Sequence, residues 1–208
     1  MSFGLVKHNN NSISAITSVG LTQGKMTLIK EQTASSSSSI SFVDGSSDVV
    51  LDNTYPVYLF KFINIHPSTD DKNFQFNMSV DTGSNYNVSK QTAVFKANHD
   101  ESDSATNLTY DTGEDLQLST GFQTLANGVG ADNDQSFSGT MHLFDPSSTV
   151  FVKHFMTSIQ YYAFNNYSNN FFVSGYGNTT SAVDAVQFKF NSGNIDSGTI
   201  KLYGIKGS

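Results

Sequence analysis

The 208-residue chain contains no cysteine. Disulfide bonds, thiolate metal sites and cysteine nucleophiles are therefore excluded. Long apolar runs are missing too, since none approaches the roughly 20 residues that a membrane-spanning helix needs. The first residues also lack the basic region and the apolar stretch of a secretory signal. We therefore expect a protein that is made in a cytoplasm and does not insert into a membrane.

Charge is scarce. Charged residues make up 14% of the chain, and the formal net charge is −7 with a sequence pI of about 5.0. Such a protein repels a phosphate backbone on average, so we do not expect nucleic-acid binding. Aromatic residues nearly match the charged ones at 12%. Together with abundant Ser, Thr and Asn, this composition is typical of β proteins that meet water through hydroxyls and amides.

Residues 55–67 form the stretch around which the chain is organised. β-Branched and aromatic residues dominate it, and prolines bracket it, which favours a strand over a helix. Both faces of this strand are apolar: Val57, Leu59, Ile63 and Ile65 on one, and Tyr58, Phe60 and Phe62 on the other. A strand of this kind is expected between two protein layers. We predict the central strand of a sandwich, in which Lys61 needs a polar partner.

The rest of the chain has the same character. Phe74, Phe76 and Met78 alternate with polar residues, and about ten such short strands are separated by turn residues at regular spacing. This pattern predicts an all-β fold, an antiparallel β-sandwich resembling a jelly roll. Residues 26–208 are predicted to form this single domain. Residues 1–25 are predicted to be an N-terminal arm for docking or assembly, although their weak apolar spacing also fits a short amphipathic helix.

Two local predictions follow from turn chemistry. Val186, Phe188 and Phe190, then Ile200 and Leu202, flank a Gly-rich loop and predict a hairpin. Residues 62–79 and 142–158 both consist of a strand, a Pro-Ser turn and a strand. Either turn chemistry alone explains this repeated arrangement, or the two segments are equivalent hairpins on facing sheets.

Residues 98–115 are acidic and irregular, and are predicted to form a surface loop.

Metal-binding patterns are weak. His142 and His154 flank the turn at Asp145 and could bind Zn²⁺, but a zinc site needs a third or fourth ligand. The alternative is that both histidines are half-buried and hydrogen-bond across strands. Acidic loops at residues 100–103, 111–115 and 132–134 offer oxygen ligands for Ca²⁺, without the spacing of a calcium loop. The alternative is that these loops keep the protein soluble. We predict no metal and no cofactor.

Catalytic motifs are also missing. The sequence has no Gly-x-Ser-x-Gly elbow and no glycine-rich phosphate loop. Its acidic residues all fall in predicted loops, so no carboxylate pair for glycoside hydrolysis can be assigned. We therefore expect a protein that is not an enzyme.

An aromatic cluster lies at residues 161–176. Tyr161, Phe171 and Phe172 are predicted to belong to the core. The remainder of the cluster, beside the predicted loop at residues 165–170, mixes aromatic rings with amides, as sugar-binding surfaces do. The candidate residues for a glycan or partner contact are Tyr162, Phe164, Asn165, Asn166 and Tyr167.

Four segments carry a resemblance to a known family. They are LIKEQTA followed by the serine run (residues 28–39), YLFKFINIHPST (58–69), FDPSST (144–149) and SGNIDSGTIKLYGI (192–205). Together they resemble a family of structural proteins of tailed bacteriophages, especially marine phages, and the similarity covers residues 26–205. No catalytic residues carry over from this family.

The resemblance implies a virion protein, assembled with other capsid or tail proteins and with copies of itself. A capsid decoration or a head or tail fibre module is the expected role, with residues 1–25 docking it. The alternative is a glycan-binding receptor-recognition adhesin at a tail fibre or baseplate tip, whose partner is a host surface glycan. A depolymerase is a third hypothesis, which the lack of a carboxylate pair on strands disfavours.

Overall fold

Two antiparallel β-sheets pack against each other to form a β-sandwich, as the sequence predicts. The computed structural model describes residues 26–206, and within this range no helix is present. The predicted arm at residues 1–25 lies outside the described residues. The strands are β1 (Met26–Thr33), β2 (Ile40–Val43), β3 (Val57–Pro67), β4 (Lys72–Ser79), β5 (Lys90–Asp100), β6 (Thr106–Tyr110), β7 (Gln123–Val129), β8 (Phe137–Phe144), β9 (Lys153–Tyr162), β10 (Tyr167–Gly177), β11 (Ala185–Phe190) and β12 (Ile195–Ile205).

The chain passes repeatedly between the two sheets. The larger sheet has the order β1-β12-β3-β8-β9-β10-β5-β6, and the smaller has the order β2-β11-β4-β7. Consecutive strands pair with each other in three places only, at β5–β6, β8–β9 and β9–β10. All other connections between the described strands cross from one sheet to the other or join strands that do not pair. The sandwich therefore depends on contacts between residues that are distant in sequence.

Aromatic side chains hold the two sheets together. Phe188 of β11 lies with its ring centroid 5.1 Å from Phe60 and 5.1 Å from Phe62, both on β3. Phe62 also contacts Phe74 of β4 at 5.6 Å. These rings are fully buried or nearly so and meet edge to face, which is a favourable geometry for aromatic pairs. The predicted central strand, β3, therefore contributes its aromatic face to the core.

The opposite face of β3 differs from the prediction. On this side of the larger sheet, which the described residues leave largely uncovered, Ile63 is 39% exposed although Leu59 is buried. A β-bulge between Phe62 and Ile65, where Asn64 has a φ of 49°, reverses the alternation and turns Ile65 into the core. Lys61 lies on the uncovered face with its Nζ 5.3 Å from the centre of the Tyr203 ring. Its partner is thus an aromatic face rather than a polar group.

The predicted hairpin at residues 186–202 is wrong. β11 pairs with β2 and β4 in the smaller sheet, whereas β12 pairs with β1 and β3 in the larger one. The two strands face each other across the core, and alternation looks the same for facing strands as for paired ones. The proposed equivalence of residues 62–79 and 142–158 as two hairpins is also wrong, because only one of the two segments forms a hairpin. β3 and β4 lie in different sheets, but β8 and β9 form a true hairpin.

Two predicted loops are shorter than expected. Eight of the eighteen residues of the acidic segment at residues 98–115 belong to β5 and β6, whose pairing continues to His99 and Thr106. The predicted loop at residues 165–170 is mostly strand, because β10 begins at Tyr167. In both places polar residues occupy strand positions at the solvent-facing end of the sheet, where composition resembles that of a loop.

Two lysines are buried at one end of the larger sheet. Lys90 on β5 and Lys153 on β9 are both paired in register with Gly177 of β10. Lys153 donates from Nζ to the carbonyl oxygens of Ser148 (2.6 Å) and Phe151 (2.7 Å), so it fastens the β8–β9 turn. Burial lowers the pKa of Lys153, against the opposing effect of the Asp145 carboxylate.

Lys90 connects the two sheets. Its Nζ donates to Asn77 Oδ1 on β4 at 2.5 Å and to the Val88 carbonyl oxygen at 2.8 Å. Asn77 is itself fully buried and donates to the carbonyl oxygen of Tyr86 at 2.7 Å. Burial lowers the pKa of Lys90 to about 7, since a charged amine in this place loses its hydration.

We expect the free energy of unfolding to rise between about pH 7.5 and about pH 9.5. The unfolded lysine keeps its proton up to about pH 10.4, whereas folded Lys90 releases it near pH 7. The unfolded chain then holds more protons, so stability rises with pH by on the order of 1 kcal/mol per unit. Urea unfolding at several pH values measures this slope.

The Lys90→Met variant should lose the part of the slope that Lys90 contributes, because position 90 then has no amine to deprotonate. The Lys30→Met variant removes a lysine from the edge strand β1 and serves as the control that should keep it. Equal slopes in the wild type and in Lys90→Met would contradict the assignment of this pH dependence to Lys90.

Candidate functional site

The five candidate contact residues surround one tight turn between β9 and β10. Tyr162 ends β9, and Tyr167 begins β10. The turn closes through hydrogen bonds from the Ala163 amide to the Tyr167 carbonyl oxygen (2.9 Å) and from the Asn166 amide to the Ala163 carbonyl oxygen (3.1 Å). Asn166 adopts a φ of 65°, a left-handed conformation that asparagine tolerates well. The turn therefore occupies residues 163–166.

The structure distributes these residues over three depressions rather than one surface. Tyr162 lines the first, which lies on the uncovered face of the larger sheet. Phe164, 43% exposed, lines the second beside Gly128, whose carbonyl oxygen accepts from the Phe164 amide at 3.1 Å. Asn165 and Tyr167 line both the second and the third, and Asn166 lines the third. Tyr167 also packs against the core, so its side chain serves the fold as well as the surface.

The first depression has the composition of a ligand site, and we call it the Tyr162 cleft. It has a volume of about 390 Å³. Its aromatic lining is Phe137, Tyr161 and Tyr162. Its polar lining is Glu101, Asp134, Ser136, Ser138, Gln160 and Ser168. The lining contains two carboxylates and no lysine, and the sequence has no arginine.

Hydrogen bonds orient the polar groups of the cleft. The Glu101 carboxylate close to the Tyr162 hydroxyl raises the pKa of Tyr162 to about 12. The same hydroxyl lies 3.4 Å from Asn166 Oδ1, and the Glu101 amide donates to the Asn166 carbonyl oxygen at 3.1 Å. Gln160 Nε2 donates to Ser168 Oγ at 2.9 Å. The turn after β5 and the turn after β9 thus form one connected wall.

Sequence reasoning missed most of this cleft. Glu101 is 61 positions from Tyr162 in the printed sequence and is brought beside it by the pairing of β5 with β10, where Asp100 lies opposite Tyr167. Asp134 and Ser136 come from the loop before β8. Gln160 was visible only as a polar position in a predicted strand, and Ser168 only as a residue of the predicted loop at 165–170. No sequence signal connects these segments, because the connection is made by strand register.

The uncovered face of the larger sheet has a second distinctive region away from the cleft, which we call the apolar face. It consists of Phe95, Leu108, Tyr110, Phe144, Met156, Phe172 and Tyr176. Phe95 and Phe172 stack with ring centroids 4.7 Å apart, and Leu108 is 74% exposed. Phe172 was predicted to lie in the core, but it occupies this outer face because its neighbours Phe171 and Val173 point inward. In the described chain, the outward positions of β8, β9, β10, β5 and β6 carry no Lys, Asp or Glu.

The candidate metal ligands have other surroundings. His142 pairs in register with Met156, and its ring stacks near Phe144, whereas His154 contacts Tyr176. Asp100 accepts hydrogen bonds from the Ser102 and Ser104 hydroxyls (2.5 Å each) and from the Ala105 amide (2.7 Å), which hold the pKa of its carboxyl well below the usual range. Asp100 therefore stabilises the β5–β6 turn. Over residues 26–206, no group of three or more His, Asp or Glu side chains is arranged to hold a metal ion.

Comparisons with known proteins provide no relative: the chain matches no protein-family model, no curated protein and no solved structure. Among the described residues there is also no helix that is long and apolar enough to cross a membrane.

Proposed function

We propose that this chain is a non-enzymatic structural protein of a tailed-bacteriophage virion. In this proposal it is an appendage of the particle, a capsid decoration or a head or tail fibre module. It is made in the host cytoplasm and assembles with other virion proteins and with copies of itself. The resemblance of residues 26–205 to phage structural proteins supports the class, and the apolar face is the structural observation that carries the proposal.

The apolar face has the chemistry of a protein contact surface. Interface centres are depleted in charge and enriched in aromatic residues and Met, as this face is. Seven outward residues, each covering about 4.8 by 7 Å of the sheet, make a face of roughly 240 Å². A standard interface buries about 800 Å² per partner, so the apolar face has the size of the centre of such a contact, with the polar residues around it as the rim. A neutral face also lets two copies of a protein with a net charge of −7 meet without facing like charges.

We expect the double substitution Leu108→Asp and Met156→Asp to reduce assembly by about tenfold or more, because each places an unpaired carboxylate in a desolvated contact. The molar mass of the purified protein over a concentration series, and its copy number in particles, measure the effect. Ser192→Asp adds a carboxylate at an exposed turn outside the apolar face and is the control. Unchanged assembly in the double variant would remove the apolar face from the proposal.

Deletion of residues 1–25 tests the docking role of the arm. We expect the truncated chain to fold, because residues 26–205 contain all twelve described strands, and to be absent from purified particles. Thermal unfolding of the truncated protein checks its folding, and immunodetection on particles checks its incorporation. Normal incorporation would overturn the docking role.

A second candidate function is receptor recognition at a tail fibre or baseplate tip. The Tyr162 cleft favours it, since a concave site with an aromatic ring and a few convergent polar groups is a common form of ligand site. This function does not require the apolar face to be free.

Phage particles that carry Tyr162→Ala should adsorb to host cells at least about tenfold more slowly if the cleft recognises the receptor. Adsorption rates of mutant and wild-type particles with equal copy numbers of the protein measure this. Tyr203→Ala removes a tyrosine from the same sheet face, near Lys61 and away from the cleft, and should leave adsorption unchanged. Equal adsorption of Tyr162→Ala and wild-type particles would contradict receptor recognition through the cleft.

A further inference from the structure

We infer that the Tyr162 cleft binds a neutral saccharide, with Glu101, Gln160 and Tyr162 as its principal contacts. The inference rests on the second candidate function, receptor recognition, and specifies the chemical class of the receptor. It concerns a site composed of three segments that converge from the β5–β6 turn, the loop before β8 and the paired ends of β9 and β10.

The size and lining of the cleft define the ligand. About 390 Å³ lies within the range of small-molecule sites, which begins near 300 Å³. Phe137 and Tyr161 are core side chains that expose almost no surface, so the half-buried ring of Tyr162 is the aromatic surface that a ligand meets. Apolar ring surface beside hydrogen-bonding groups suits a ligand that has both C–H faces and hydroxyl edges.

The hydrogen-bonding groups favour hydroxyls over other partners. Ionised Glu101 and Asp134 only accept, the Gln160 amide donates and accepts, and the serine hydroxyls do both. A saccharide hydroxyl donates and accepts as well, so it can satisfy every one of these groups. Its hydrogen bonds to the two carboxylates belong to the stronger, charge-assisted kind. A purely apolar ligand would instead leave both carboxylates desolvated without partners.

Charge excludes acidic saccharides. The lining has two carboxylates and no cationic side chain, on a protein with a net charge of −7. A sialic acid, uronic acid or phosphorylated sugar would place a third negative charge beside them in a partly desolvated cleft. Neutral hexoses and N-acetylhexosamines avoid this repulsion.

The wall of the cleft is ordered before a ligand arrives. The Glu101 amide and the Tyr162 hydroxyl both donate to Asn166, and Gln160 is held by Ser168. Groups that are fixed in advance lose less entropy on binding. A shallow site with few contacts can therefore still recognise a sugar, most effectively when several copies act together.

The test uses the purified full-length protein on an array that displays neutral glycans beside sialylated and uronic-acid glycans of matched core. We expect binding to a subset of the neutral glycans and none to their acidic counterparts. Titration with the free saccharide that binds best then gives the affinity. Tyr162→Ala and Gln160→Ala should each weaken it by about fivefold or more, and Tyr203→Ala should not change it.

Glu101→Gln separates charge from shape. It preserves the size of the side chain and removes the carboxylate, so we expect weaker binding of the neutral saccharide and a gain of acidic glycans. Thermal unfolding of each variant checks that its fold is intact. A wild-type preference for acidic glycans would overturn the ligand class and leave receptor recognition standing.

Two other outcomes also decide the matter. Wild-type binding of an alkyl or aryl ligand with no glycan bound at about 1 mM would overturn the inference. Neutral-glycan binding that survives Tyr162→Ala and Gln160→Ala unchanged would place the saccharide elsewhere and overturn the assignment to this cleft. The receptor function itself is judged independently, by the adsorption rate of mutant particles.

Discussion

The contact of Phe188 with Phe60 and Phe62 is the interaction on which the rest of the structure depends. It joins β11 of the smaller sheet to β3 of the larger one. Because the chain crosses repeatedly between sheets, few strands are held by a hairpin with the next strand in sequence. The sheets therefore have to be brought into register by their buried faces. Edge-to-face packing of large rings provides direction as well as apolar burial, which aliphatic side chains alone do not.

The sequence was sufficient for the fold class and for the identity of the main core strand. Alternation at β4, β8 and β11 and the aromatic face of β3 all proved to be buried as expected. The sequence was insufficient to predict which strands pair with each other. Alternation reports which side of a strand is buried, but Val186 and Ile200 have the same pattern whether their strands are neighbours or face each other. The bulge at Asn64 was also invisible, since one residue in a left-handed conformation leaves no mark in an apolar run.

The candidate site was predicted in part, and for a similar reason. An aromatic cluster with amides singled out Tyr162 as a candidate contact residue, and Tyr162 lines the cleft. The same reasoning grouped Tyr162 with Phe164 and Tyr167, which line other depressions, because adjacency in sequence is a poor guide at a tight turn. Glu101 could not have been chosen among 18 acidic residues without the β5–β10 register. Composition suggested the kind of site, and strand pairing determined its members.

The pairing of β1 with β12 has a mechanical consequence. Met26 lies opposite Ile205, so the first and last strands leave the sandwich side by side at one edge of the larger sheet. Hydrogen bonds of an antiparallel pair run perpendicular to the strands. A pull that separates the two ends therefore loads these bonds one pair at a time, as in unzipping. A pull between residue 26 and the far end of the sheet loads the whole pair in shear. The direction of an attached load thus governs how firmly this edge resists force.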